Sequence, residues 1–398
     1  MPTLCSARLT LSAFALFLTM ICCTAQPNRN SVSAPSLLTG ADQTNLYLPM
    51  LQGKRVGMVV NHTSRIGQTH LVDSLLALGV SIKTIFAPEH GFRGEATDGE
   101  KISNARDPRT GVMIASLYGQ NRKPSKAQLD SLDVLIFDIQ DVGTRFYTYI
   151  STMHYVMEAC AENKKPLIVL DRPNPNGHYV DGPVLDPKFK SFVGMHPIPV
   201  VHGLTVGELA RMINGEGWLG PGKSCPLTVV PVKNYTHQTP YVLPVRPSPN
   251  LPNQQAVLLY PSLCFFEGTV VSVGRGTDKQ FQVIGSPYTQ YGPYQFTPVD
   301  KPGAVNPPLE GKLCYGLDLS TVPISRKGMM LDYFFDFFNR ASDKTKFFLA
   351  NNGIDRLAGT DQLRLQMLAG VSAQKIRASW QPALSAYKQT RQKYLLYP

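Results

Sequence analysis

Short apolar runs of strand length alternate with stretches of helical spacing between Arg55 and Pro231, and that alternation restricts the fold more than any other feature. Arg55 to Asn61, Ser81 to Ala87, Asp133 to Ile139 and Pro166 to Asp171 read as buried strands, with Leu227 to Pro231 a further short one. Between them, His70 to Leu78 repeats Leu and Val at helical spacing and stops at Gly79. Ser125 to Asp130 is a short helix, and Tyr149 to Ala161 is a longer one with Met153, Val156, Met157 and Cys160 on one face. Thr205-Val206-Gly207-Glu208 has the capping-box spacing and opens a helix through Ile213. Strand and helix in this order predict an α/β fold, a mostly parallel sheet covered on both faces. Right-handed crossovers then bring the strand C-termini to one edge, where open sheets of this kind hold their ligands. Asn61, Glu89, Asp138 and Asp171 stand at or just past four successive strand ends.

The pattern changes after Leu243. Pro244, Pro247, Pro249, Pro252 and Pro261 make the next stretch turn-rich, and Phe265 to Arg275 opens a second unit. That unit ends in helices: Met329 to Arg340, rich in Phe and Tyr, then Thr360 to Leu368, then Ser372 to Ser379 with Ser372 as cap, then Pro382 to Leu395. A chain of 398 residues exceeds the usual size of a single core, so two domains are expected.

The first residues read as a targeting segment. Arg8 precedes an apolar run from Leu9 to Ile21 that is too short for a membrane span and suits a signal peptide cleaved after Ala25. Lipid attachment at Cys22 or Cys23 is the alternative processing. Either route predicts an exported protein of the periplasm or cell envelope, with no integral span in the mature chain. Export permits disulfides, but Cys160, Cys225, Cys264 and Cys314 lack a disulfide-like spacing and are expected as buried free thiols. With no CxxC or HExxH, no metal site is expected. The formal charge of +11 favours anionic polymers, and without a Lys-Arg run or nucleic-acid motif the predicted partner is an anionic wall glycan rather than nucleic acid. The turn from Asn61 to Gly67 lacks GxGxxG, and Gly274-Arg275-Gly276 lacks the strand-to-helix context, so no nucleotide cofactor is expected.

The motifs at the strand ends carry the chemistry. Glu89, in Pro88-Glu89-His90-Gly91-Phe92-Arg93-Gly94, is the leading catalytic candidate: a shielded glutamic acid can protonate a glycosidic oxygen. His90 would orient it or bind a hydroxyl, and an ion pair of Glu89 with Arg93 is the competing structural role. Asp138, Asp141 and Arg145 follow the most hydrophobic strand and suit sugar hydroxyls or a substrate carboxylate; an internal ion pair suits them equally. Tyr147 and Tyr149 serve packing or sugar stacking. Asp171, Arg172 and Asn174 open a proline-rich loop, and Asn61 precedes a helix start; all are ligand candidates or local caps. Glu267 supplies a second carboxylate and Arg275 a cation from the second unit, unless the segment is merely a glycine hairpin. Crowded carboxylates of this kind are the usual equipment for glycoside hydrolysis.

Taken together, these motifs resemble the NamZ family of exo-β-N-acetylmuramidases. The resemblance rests on the Glu89 motif, Asp138 to Arg145, Asp171 to Pro175, Pro247-Ser248-Pro249-Asn250-Leu251-Pro252, Glu267-Gly268-Thr269, Gly274 to Thr277 and the terminal Tyr394-Leu395-Leu396-Tyr397. It implies a Rossmann-like mostly parallel sheet domain, a smaller α+β auxiliary C-terminal domain and an active site between them. The expected organisation is a leader at 1–25, a linker at 26–44, the catalytic domain at 45–258 and the auxiliary domain at 259–398. It implies removal of terminal N-acetylmuramic acid from the non-reducing end of peptidoglycan fragments. Catalysis falls on Glu89, with Glu267 or Asp138 as the second group. Asn61, His90, Arg93, Asp138, Asp141, Arg145, Asp171, Arg172, Asn174, Asn250 and Arg275 are the expected binding residues, Arg145, Arg172 and Arg275 being candidates for the lactyl carboxylate. The alternative is a non-catalytic cell-wall glycan-binding lipoprotein with the same cleft.

Overall fold

The computed structural model describes residues 36–89, 91–93 and 105–398. The expected leader, its cleavage and lipidation sites, most of the linker, His90 and Gly94 lie outside these residues. Residues Leu37–Pro398 gather into one compact unit.

Seven strands form the main sheet: β1 (Arg55–Val60), β2 (Ser81–Ala87), β3 (Ala105–Arg106), β4 (Met113–Ser116), β5 (Val134–Asp138), β6 (Leu167–Leu170) and β7 (Leu227–Val230). Their order is β7-β6-β5-β1-β2-β4-β3, and every pairing is parallel except that of β3 with β4. The strand order reverses at β1, which carries β2 on one side and β5 on the other. Met58 lies between Ile85 of β2 and Ile136 of β5 in register.

Period-two alternation splits the strand side chains between two cores. Val59, Phe86, Leu135, Phe137 and Val169 face α3 (Lys126–Asp130), α4 (Tyr149–Asn163) and α5 (Val206–Gly215), which contribute Leu129, Met153, Val156, Met157 and Leu209. Val56, Met58, Ile85, Ile136 and Ile168 face α1 (Thr44–Leu51) and α2 (Leu71–Ala77), which contribute Tyr47, Leu51, Leu71 and Leu75. Burial on both faces explains why the central strands read as continuous apolar runs. The Thr205 capping box forms as expected: Thr205 Oγ1 accepts from Glu208 N at 3.3 Å, and Glu208 Oε2 accepts from Thr205 N at 2.9 Å.

Three elements differ from the sequence reading. Residues 37–43 are packed rather than linking: Leu38 bridges Lys233, and Gly40 N donates to Asp171 O at 2.8 Å. The strand β4, between β2 and the edge strand β3, carries no readable alternation. The proline-rich stretch contains α6 (Gln254–Leu263), which runs through Pro261. Proline removes the N–H that would bond Val257 O, and the Asn176 side-chain amide donates to that carbonyl at 3.2 Å instead.

Beyond α6, a turn at Cys264–Gly268 leads to a three-stranded antiparallel sheet of β8 (Val283–Ser286), β9 (Tyr294–Phe296) and β10 (Cys314–Asp318), in the order β8-β10-β9. Five helices follow: α7 (Asp332–Arg340), α8 (Gly353–Ala358), α9 (Gln362–Leu368), α10 (Ala373–Ser379) and α11 (Gln381–Gln392). Phe334 and Phe337 of α7 pack edge-on against Phe266, with ring centroids 5.1 and 5.4 Å away. The chain end returns to the main sheet, where Tyr397 OH donates to Asp171 Oδ2 at 2.6 Å. Cys160, Cys225, Cys264 and Cys314 are buried free thiols. Among the described residues, no helix is long and apolar enough to cross a membrane.

Candidate active site

Glu89 lies two residues past the end of β2, half-buried, with Pro88 between. Its partner comes from the first turn region of α4: Thr148 Oγ1 donates to Glu89 Oε2 at 3.2 Å. Tyr149 OH donates to the Glu89 carbonyl at 3.4 Å, so the α4 start holds both the side chain and its backbone. Tyr147 packs edge-on against Tyr149 and donates its OH to Pro247 O at 2.7 Å. The expected competitor for Glu89 is committed elsewhere, because Arg93 NH2 pairs with Asp107 Oδ2 at 2.8 Å.

Glu267 comes from the turn after α6 and is half-buried. Arg275 Nε donates to its Oε1, and the Cys264 thiol donates to its Oε2 at 3.6 Å. The Arg275 guanidinium also lies over the Phe281 ring, 5.3 Å from its centroid. Gly268 is required by close approach: a Cβ there would sit 2.5 Å from Ile354 N of α8. The segment is therefore a tight turn against α8 and not a glycine hairpin.

Both carboxylates line one cavity of about 420 Å³, together with Thr148, Tyr149, Asn250 and Arg275. Phe146, Tyr260, Phe281 and Leu357 supply its apolar wall. Burial pushes the Cys264 thiol and the Tyr260 phenol well above their ordinary values, so both stay protonated at neutral pH. They can donate hydrogen bonds but are poor nucleophiles. The arrangement offers two carboxylates, a cation and several neutral donors around a space of ligand size.

The remaining strand-end residues stand apart from this cavity. Arg172 grips Asp138 through Nε to Oδ1 at 2.5 Å and NH2 to Oδ2 at 2.8 Å, with both side chains buried. Burial raises the Asp138 carboxyl, and the Arg172 charge opposes that rise. Asn61 Oδ1 accepts from Thr63 N and Oγ1, and Gln140 N donates to Thr63 Oγ1 at 3.1 Å. Together with the bond from Ser64 Oγ to Asp138 O, these contacts fill the crevice between β1 and β5, where a sheet of this order usually holds its ligand. Asp138 and Arg172 thus pair with each other and do not line the cavity that holds Glu89.

Arg145 is likewise absent from the cavity lining. Its guanidinium is fully buried and donates to three carbonyls, Pro183 and Ile198 at 2.8 and 2.6 Å and Leu357 at 2.9 Å. Asp141 Oδ2 accepts from Gly143 N at 2.7 Å. Asp171 accepts from Thr205 Oγ1, Gly207 N, Arg172 N and Tyr397 OH. Asn174 Nδ2 donates to Leu204 O at 2.8 Å and its Oδ1 accepts from Asn176 N at 2.8 Å. These buried residues, with Asn61, organise the loops beneath the site. Arg93 faces a separate polar cavity with His62, Arg65 and Arg109.

Of the expected residues, Glu89, Glu267, Asn250 and Arg275 come together. Thr148 and Leu357 join them without having been foreseen. Thr148 carries a signal, as a hydroxyl ahead of a helix start, but nothing in the sequence places Leu357 near Glu89.

Two family models match, described as "Exo-beta-N-acetylmuramidase NamZ", N-terminal over residues 56–255 and C-terminal over residues 258–397. The chain belongs to the NamZ family. It is 36% identical over 420 residues to "Peptidoglycan beta-N-acetylmuramidase NamZ" of Bacillus subtilis (strain 168), covering 97% of this chain and 98% of that relative. Two crystal structures of DUF1343 family proteins from Bacteroides fragilis NCTC 9343 share the fold of this NamZ member. One has a TM-score of 0.85 and 49% identity, covering 91% of this chain and 99% of that one. The other has a TM-score of 0.77 and 29% identity, covering 92% of this chain and 100% of that one.

Proposed function

We propose that this NamZ family member is an exo-acting glycoside hydrolase that releases terminal N-acetylmuramic acid from the non-reducing end of peptidoglycan fragments. The observation that carries the reading is the meeting of Glu89 and Glu267 in one cavity. The name of the Bacillus subtilis relative supports peptidoglycan as the substrate. Glu89, oriented by Thr148 and without an ionic partner among the described residues, is the proton donor to the leaving oxygen. Glu267 is the second carboxylate, held in place by Arg275 and Cys264. Among the three arginines expected to meet the lactyl carboxylate, Arg275 alone lines the cavity. The protein would act in the periplasm or cell envelope after export.

The test is Glu89→Gln assayed on a chromogenic N-acetylmuramic acid glycoside, with products identified from defined fragments. Loss of about a hundredfold in kcat with the fold retained is expected, the low end for general acid catalysis. Near-normal turnover rejects the assignment. Binding by the parent protein without release of sugar would support the glycan-binding alternative.

A further inference from the structure

A second cavity, of about 440 Å³, adjoins the first, and Glu267, Val193 and Leu357 border both. Its lining is mostly apolar, with a few donors set into it. Arg122 and Arg356 both face it and are both exposed. The Arg122 guanidinium lies over the Phe192 ring, 4.3 Å from its centroid, and its Nε donates to Gly119 O at 3.0 Å. Phe192 is itself stacked on Tyr155 of α4, with 6.3 Å between centroids and 18° between planes. Arg122 is thus held in one orientation, and its two terminal nitrogens have no partner among the described residues. Arg356, on α8 beside the wall residue Leu357, likewise has none. Ser191 Oγ is buried at the same cavity without a hydrogen-bond partner among the described residues. The one acid in the lining, Glu267, is already paired with Arg275.

Two unpaired guanidiniums, one pre-oriented, beside the unused Ser191 hydroxyl form a site for a carboxylate. We infer that this second cavity binds a carboxylate carried by the substrate beyond the bond that is cut. The inference rests on the proposed function, in which the terminal sugar occupies the first cavity and the rest of the chain leaves past Glu267. Two substrate groups share the required chemistry: the lactyl carboxylate of the next muramic acid residue, and a carboxylate of an attached stem peptide. Uncharged leaving groups do not engage the site, so the arginines govern affinity for longer substrates only.

The experiment compares the parent protein with the double variant Arg122→Ala, Arg356→Ala on two substrates. One is the chromogenic N-acetylmuramic acid glycoside; the other is a defined tetrasaccharide with muramic acid at its non-reducing end. The expected result is unchanged kinetics on the glycoside and a KM for the tetrasaccharide raised about tenfold, the loss of one charge-assisted contact at a solvent-open site. A tetrasaccharide with its inner lactyl group amidated should show no difference between the two proteins if that group is the ligand. Sensitivity confined to a peptide-bearing tetrasaccharide would assign the ligand to the stem peptide. If the parent cleaves the glycoside but the variant binds every oligosaccharide equally well, this inference falls and the proposed function stands. If the parent releases no muramic acid from any substrate, both fall.

Discussion

Among the bonds that tie the chain end to the rest of the fold, the Tyr397 hydroxyl reaches the end of β6, and Tyr397→Phe tests what that bond contributes. Tyr397 OH donates to Asp171 Oδ2 at 2.6 Å and accepts from Val232 N at 2.8 Å. Asp171 is fully buried at the end of β6, and burial pushes its carboxyl up to about 6, although the bonds from Tyr397, Thr205 and Gly207 oppose the rise. Removing the hydroxyl deprives the carboxylate of a charge-assisted bond, about 1.5–3 kcal/mol, and strands the Val232 N–H, about 1–3 kcal/mol more. A loss of about 3–5 kcal/mol follows at neutral pH. With an unfolding entropy of about 2.1 cal/mol/K per residue, this lowers Tm by about 4–7 °C.

The loss carries a pH signature. The folded carboxyl titrates above its unfolded value of about 3.9, so its contribution to stability is full below that value and is lost as pH rises through 6. Without Tyr397 the folded carboxyl moves higher still, and the contribution is lost over a wider span. Urea denaturation of parent and variant at pH 5 and pH 8 should therefore show the larger stability difference at pH 8. Equal differences at the two pH values, or a difference under about 0.5 kcal/mol, would refute the reasoning.

Two further perturbations separate the frame from the chemistry. Arg145→Met leaves the carbonyls of Pro183, Ile198 and Leu357 without their donor and should cost at least about 3 kcal/mol in denaturant titration. Its folded fraction should keep the KM of the parent on the chromogenic glycoside, and a large rise in KM would return Arg145 to substrate binding. Gly268→Ala places a Cβ 2.5 Å from Ile354 N, so α8 must move, and both Tm and kcat should fall; a variant with parental values would show that the close approach is dispensable.

The main sheet was legible because its central strands are buried on both faces, as in the run from Val134 to Asp138. The capping hydroxyls of Thr205 and Ser372 marked two helix starts for the same local reason, and the structure shows Ser125 capping a third. Proline misled: α6 runs through Pro261, and Asn176, far away in sequence, takes the vacated carbonyl. The site was half legible. A charged residue past an apolar strand announces a strand end, but whether its partner is a ligand or the protein depends on contacts across the chain. Glu89 and Asp138 look alike in sequence; Arg172 closes over one and leaves the other open. Arg145 reads as a carboxylate ligand until the carbonyls of distant loops are seen around it.

The central claim is that the cavity shared by Glu89 and Glu267 holds the terminal sugar. A crystal structure of Glu89→Gln with a muramic acid-terminated disaccharide tests it most directly. The terminal sugar should lie between residues 89 and 267, its glycosidic oxygen within hydrogen-bonding reach of residue 89 and its lactyl carboxylate against Arg275. A sugar bound instead in the polar cavity of His62, Arg65 and Arg109, with the Glu89 cavity empty, would contradict the account.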